Sequence, residues 1–178
     1  SFLAMRFVPF TPSFPYYDAI LANLSKIQFI WQWANFDGAH YITIVQKGYV
    51  GTGLIQAFFP LYSILIKLFT LINKNPLYTG LLVSNICFLM ALFIFKKILK
   101  QEKIKNYCWP ILALLLFPTS YYFGALYSES LFLLLTLLSF LFLNKKKWIW
   151  AAVFASLASA TRLAGIFLGV AIAWEFYS

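Results

Sequence analysis

From residue 57 to the end, the chain is a series of long apolar runs broken by short polar interruptions. Four of these runs, 77–95, 107–123, 126–143 and 148–174, approach or exceed the roughly 20 residues that a helix needs to cross a hydrocarbon core. Pro110 and Pro118 interrupt the second run, and the third is short for a span. Trp109, Tyr121, Tyr122, Tyr127, Trp148, Trp150 and Trp174 gather near the ends of the runs, as residues of an interfacial aromatic belt do. Ahead of them, Leu61, Ile64, Leu65, Leu68, Phe69 and Ile72 recur at helical spacing, with Ser63, Lys67 and Thr70 opposite, predicting an amphipathic helix over 60–72. About 12 residues rise about 18 Å, too short to span, so this helix is expected to lie in the membrane interface. Pro9, Pro12 and Pro15 predict an extended entry segment, and Asp18 is placed to cap a short helix over Ala19–Phe29. Gly48, Gly51 and Gly53 predict a flexible stretch before the amphipathic helix.

Composition turns this pattern into a class. The chain is 62% hydrophobic, 21% aromatic and only 11% charged, with a mean hydropathy of +0.81. Soluble proteins carry roughly 25% charged residues, so a polytopic all-α membrane protein is predicted. The net charge of +9 sits in short lysine clusters between apolar runs, the pattern of cytoplasmic flanks and not of a nucleic-acid footprint. No nucleic-acid partner is expected. The basic loops Lys96–Lys105 and Lys145–Lys147 are separated by two runs, so both fall on the cytoplasmic side. Residues 127–129 then lie outside. With 60–72 interfacial, residues 1–59 form an extracytoplasmic first loop. Cys87 and Cys108 sit in separate apolar runs with no ligand-like spacing. The chain opens without a methionine and closes in an apolar run, as a portion of a longer protein would.

Candidate chemistry is concentrated in the polar stretch Trp31–Tyr41, which holds the single histidine and one of five acidic residues. Asp37, among Trp31, Trp33, Phe36 and Tyr41, is a carboxylate whose apolar neighbours favour a general base. The plainer alternative is a turn made by Asn35, Asp37 and Gly38. His40 is suited to contact a phosphate or orient a substrate; with Asp37 it leaves a divalent metal open but unsupported, since at least one more ligand is needed, and no other cofactor is expected. Glu129 fits either the first turn of a helix, where its charge meets the dipole, or a second polar contact to substrate. Arg162 interrupts an apolar run at a cost of about 2.5–3.5 kcal/mol. About 14 residues after Trp148 carry it about 21 Å across, to the Asp37 side. Stripes of small residues, Ala152, Ser156 and Ala160 beside Ala151, Ala155 and Ser159, predict that it faces protein. Either a lipid phosphate or an ion pair with a carboxylate accounts for it.

The motifs Trp33-Ala-Asn-Phe-Asp-Gly-Ala-His-Tyr41, Lys47-Gly-Tyr49, Phe58-Phe-Pro-Leu-Tyr62, Phe117-Pro-Thr-Ser120, Tyr127-Ser-Glu-Ser-Leu-Phe132 and Thr161-Arg162 resemble, in this order, the PIG-V family. These are GPI mannosyltransferase 2-like enzymes of the GT-C glycosyltransferase class. The resemblance covers most of the chain and the N-terminal portion of such an enzyme. It implies a GT-C-like helical bundle that moves a hexose, typically mannose, from a polyprenyl- or dolichyl-phosphate carrier to a glycolipid or other acceptor. Transfer would take place on the extracytoplasmic face, lumenal in a eukaryote. It also implies Asp37 as the general base, and Asn35, His40, Tyr41, Glu129 and Arg162 as substrate contacts. Ser63, where the family often has proline, and Leu163-Ala164 after Thr161-Arg162 depart from the pattern. Two other classes remain open: a transporter or flippase, and a non-catalytic membrane subunit of the same fold.

Overall fold

A computed structural model describes residues 17–49 and 53–177, and every regular element among them is helical. The proline-rich entry and Gly51 lie outside the described residues. A π-helical turn, Tyr17–Leu21, leads through a loop to α1 (Gln28–Trp31) and a 3-10 turn, Gln32–Ala34. The continuous helix expected over 19–29 is therefore absent; Asn23 turns its amide back to the Ala19 carbonyl at 3.0 Å, and the chain bends there. Next come α2 (Asp37–Lys47), α3 (Pro60–Asn73), α4 (Pro76–Gln101), α5 (Cys108–Leu116), α6 (Tyr121–Gly124), α7 (Glu129–Leu143), α8 (Trp148–Ser159), a 3-10 turn Leu163–Ile166, and α9 (Phe167–Tyr177).

Helix α4 is the backbone of the bundle. Pro76 opens it at a position where a missing N–H costs nothing, and the Asn75 side chain caps it by accepting from Leu77 N at 3.0 Å. The same amide donates to Leu24 O at 2.9 Å, which fastens the first loop to the helix start. Helix α7 packs between α4 and α8, and α9 folds back on α8. Helix α4 is the one described helix long and apolar enough to cross a membrane; α3, α7, α8 and the 163–177 stretch are shorter apolar helices.

The molecule has two chemically different ends. Asn144 after α7 donates to Glu102 after α4 at 2.9 Å, and Lys146 pairs with Glu175 of α9 at 2.7 Å. The two lysine loops thus share one end. Glu129 at the start of α7 pairs with Arg162 after α8 at the other end. The 15 residues of α7 separate the two ends by about 22 Å.

Leu126 pins the connection into α7. Its N–H donates to Trp33 O at 2.8 Å, and its side chain is fully buried. A Cβ on Gly80 would lie 2.6 Å from Leu126 Cδ1, and one on Gly38 would lie 3.2 Å from Leu126 O. Gly38 therefore gives room to the protein's own backbone at Leu126.

Two expected segments break into shorter helices, and α3 shows which of its faces meets protein. The 107–123 run stops after nine residues of α5, about 14 Å of rise. Phe117, held at ψ 136 before Pro118, leaves the helix, and the Ser120 hydroxyl takes up the Leu114 carbonyl. The 148–174 run breaks at 160–162. Thr161 turns its hydroxyl back to Ala158 O at 2.6 Å, and Arg162 is extended at φ −153 and ψ 141. In α3, the face turned to protein carries Tyr62, Ser63 and Ile66, while Ile64, Leu68, Phe69 and Ile72 are exposed. Most of the apolar stripe read from the sequence thus points outward, while Leu61 and Leu65 pack partly against the core. Tyr62 explains the inward face: its hydroxyl reaches Gly80 O at 3.2 Å and Ser84 Oγ at 2.6 Å on α4.

Candidate active site

Asp37 begins α2, where a negative charge meets the positive end of the helix dipole. The residue before it, Phe36, sits at φ 59 and ψ −114, a conformation that side chains with a Cβ rarely adopt. Such a conformation stores about 1–3 kcal/mol and is characteristic of functional loops. Phe36 is 60% exposed, so little burial opposes its replacement. Phe36→Gly is expected to raise unfolding stability by about 1 kcal/mol, read by thermal or denaturant unfolding. A loss of stability would show that the ring is needed for packing.

One helical turn after Asp37, Tyr41 lies on the same side of α2. Its hydroxyl donates to Ser128 Oγ at 3.0 Å, joining the first loop to the start of α7. Burial pushes the Tyr41 phenol up to about 12; the Ser128 hydrogen bond opposes this, and the Glu129 and Asp37 carboxylates add to it. A raised pKa favours the neutral phenol, so its contribution to stability is complete below about pH 10 and lost as pH rises toward 12. Tyr41→Phe is expected to flatten the fall of stability over that interval, measured by unfolding at stepped alkaline pH. An unchanged slope would show that Tyr41 is not the group responsible.

Glu129 and Arg162 complete the cluster. Arg162 Nη1 donates to Glu129 Oε1. Arg162 is 44% exposed and Glu129 26%, so the pair itself contributes no more than about 1 kcal/mol. Of the two readings of Arg162, the protein-borne partner is an ion pair, and the residue lies at an open break between helices, not inside a continuous one facing protein. The second Glu129 oxygen, Oε2, is buried with no hydrogen-bond partner. A buried acceptor in that condition is costly, and a ligand hydroxyl would satisfy it.

Asp37, Tyr41, Phe58, Ser128, Glu129 and Arg162 line one cavity of about 320 Å³, together with neighbours at 57–59 and 161–164. A larger cavity of about 550 Å³ lies between α8 and α9, but no acidic or basic side chain lines it. The smaller cavity gathers two carboxylates and a guanidinium, and a functional site is recognised by such convergence. His40 is adjacent without lining it: its ring stacks on Phe58 at 4.9 Å between centroids. Asn35 belongs elsewhere. Its backbone carbonyl accepts from the Tyr127 hydroxyl at 2.8 Å, and its side chain lines a second cavity with Trp33, Phe36 and Tyr127. Among the described residues no group of three or more His, Cys, Asp or Glu is placed to hold a metal ion.

Two contributors were not read from the sequence. Ser128, next to Glu129 in the Tyr-Ser-Glu motif, anchors Tyr41. Gly165 lets the 163–166 turn lie against the end of α8, since a Cβ there would be 2.3 Å from Ser159 N. A glycine three residues after an isolated arginine was the available signal. No family model matches the chain, and no curated protein or solved structure matches it either.

Proposed function

We propose that the chain is a membrane-embedded portion of a glycosyltransferase that moves a hexose, mannose by resemblance, from a polyprenyl-phosphate carrier to an extracytoplasmic acceptor. The observation that carries this reading is the meeting of Asp37, Glu129 and Arg162, far apart in sequence, in one cavity. Asp37 takes the proton from the acceptor hydroxyl as its oxygen bonds to the sugar's anomeric carbon. The bond from that carbon to the phosphate oxygen breaks, and the electron pair leaves with the lipid phosphate. Attack opposite the departing phosphate inverts the carbon. Arg162 meets the charge that grows on the phosphate. A guanidinium carries five donors in a fixed fork, so pairing with Glu129 through Nη1 is compatible with a phosphate on another edge. His40, stacked on Phe58 at the cavity's edge, orients the donor sugar or its phosphate.

A polytopic membrane setting is part of the proposal. Leu71, Ile72, Phe93, Leu116, Ile149 and Trp174 are each more than 70% exposed, apolar surface that suits lipid. The lysine loops share the end opposite the cavity, which supports a cytoplasmic lysine end and an outward cavity. A transporter is the second reading, favoured by the helix interruptions at 117–120 and 160–162. Transfer decides between them. Full-length protein in vesicles, given polyprenyl-phosphate mannose and a glycolipid acceptor, is expected to form mannosylated product. No product from any lipid-linked hexose would exclude the transferase reading.

A further inference from the structure

A second cavity, of about 390 Å³, opens on the other side of the Asp37 loop. Its walls are Gln32, Trp33, Asn35, Phe36, Tyr121 and Tyr127, with the small Ala125 at one side. Two chain segments contribute to both cavities in succession. Asn35 and Phe36 line this one and Asp37 the first; Tyr127 lines this one and Ser128 and Glu129 the first. The partition between them includes the 2.8 Å hydrogen bond from the Tyr127 hydroxyl to Asn35 O.

The chemistry of the walls is unusual for a packing defect. Four of the lining residues are aromatic, and Phe36 and Tyr121 are 60% and 51% exposed, so rings are presented at the opening. Two side-chain amide atoms, Gln32 Nε2 and Asn35 Oδ1, are buried with no hydrogen-bond partner. One is a donor and the other an acceptor. An apolar occupant such as a lipid tail would leave both unpaired, whereas buried polar groups are ordinarily satisfied. A pyranose answers both demands: its C–H faces lie on aromatic rings, and its hydroxyls donate and accept in the same plane as the ring edge. A mostly aromatic cavity with a few convergent polar groups is also the general form of a small-molecule site.

We propose that this cavity binds a pyranose ring of the acceptor, so that the acceptor hydroxyl is delivered past the Tyr127–Asn35 partition to Asp37. The proposal rests on the transferase reading for the word acceptor, but the binding of a pyranose does not depend on transfer. Asn35 then serves the acceptor, while Glu129 and Arg162 serve the donor.

The test is saturation-transfer NMR on full-length protein in lipid nanodiscs, with methyl α-mannopyranoside as probe and no donor present. Saturable binding is expected, with cyclohexylmethanol, a ring of similar size with one hydroxyl, failing to compete. Tyr121→Ala and Gln32→Leu are each expected to weaken the pyranoside about tenfold, as loss of a ring face or of a buried amide partner would. Gly169→Ala, which lines neither of these cavities and meets nothing within 4 Å, is expected to leave pyranoside affinity unchanged. Absence of saturable binding to the wild type, or equal competition by cyclohexylmethanol, would overturn the proposal without any variant being needed. Should Tyr121→Ala unfold, Phe36→Ala gives the same reading from another ring of the lining. Pyranoside binding without transfer from any lipid-linked hexose would remove the transferase reading and leave the pyranose site standing.

Discussion

Asp37→Asn is expected to lower transfer about a thousandfold, within the 10²–10⁴ range that a positioned general base contributes. The amide has the shape of the carboxylate but cannot accept the acceptor's proton. Because the proton moves only in the transition state, kcat should fall with little change in KM. Asp37 is exposed at the start of its helix, so the variant should unfold within about 0.5 kcal/mol of the wild type. Asp37→Glu keeps the base but lengthens its reach, and partial activity is expected from it. Steady-state kinetics on the three proteins, with unfolding curves beside them, separates a lost base from a lost fold. Equal turnover by the asparagine variant would remove Asp37 from the chemistry.

Gly165→Ala is expected to be the most damaging small substitution in the described structure. The added Cβ would lie 2.3 Å from Ser159 N, 2.5 Å from Ala158 C and 2.6 Å from Ser159 Cα. These are backbone atoms at the end of α8 and cannot swing aside as a side-chain tip can. Relief requires the 163–166 turn to move off the helix, at a cost of about 3 kcal/mol, the upper part of the usual overpacking range. Arg162 is the residue that precedes this turn, so displacement separates it from Glu129. Lower unfolding stability and lost transfer are expected together. Gly169, in the same groove but with nothing within 4 Å of its Cβ position, is the control, and Gly169→Ala should be close to neutral. Wild-type stability in Gly165→Ala would show that the turn does not pack against α8 as described.

The convergence at the cavity is partly legible in the sequence. Lysine placement put residues 37 and 129 on one side, and a count along the 148–174 run carried Arg162 about 21 Å toward them. The length of α7 gives nearly the same interval, about 22 Å, between Glu129 and the lysine end. What the count missed is that Arg162 stands in a break, not in a helix. Thr161 and Gly165 each have ordinary helical or loop uses, and only the end of α8 lying over Gly165 makes the break necessary.

Asn35 was grouped with Asp37 because both stand in the motif that carries the resemblance, with only Phe36 between them. The backbone at Phe36 turns so sharply that the two face different cavities, and no local pattern announces a phenylalanine at φ 59. The inward face of α3 was not legible for another reason. Periodicity finds the apolar stripe but does not say whether protein or lipid lies against it, and here Tyr62 and its two partners on α4 decide the orientation. Breaks at Pro118 could have been read more strictly, since the residue before a proline leaves the helical region.

A lipid-linked sugar phosphate is expected to land in the cavity shared by Asp37, Glu129 and Arg162. A polyprenyl-phosphate sugar carrying a photoreactive group beside the phosphate, cross-linked to full-length protein in vesicles and mapped by mass spectrometry, measures this directly. The expected label falls on the segments 57–59 and 161–164 that wall the cavity, and unlabelled donor should suppress it. Label confined to the groove between α8 and α9, or to the lysine end of α4, with 57–59 and 161–164 unmodified, would contradict the assignment.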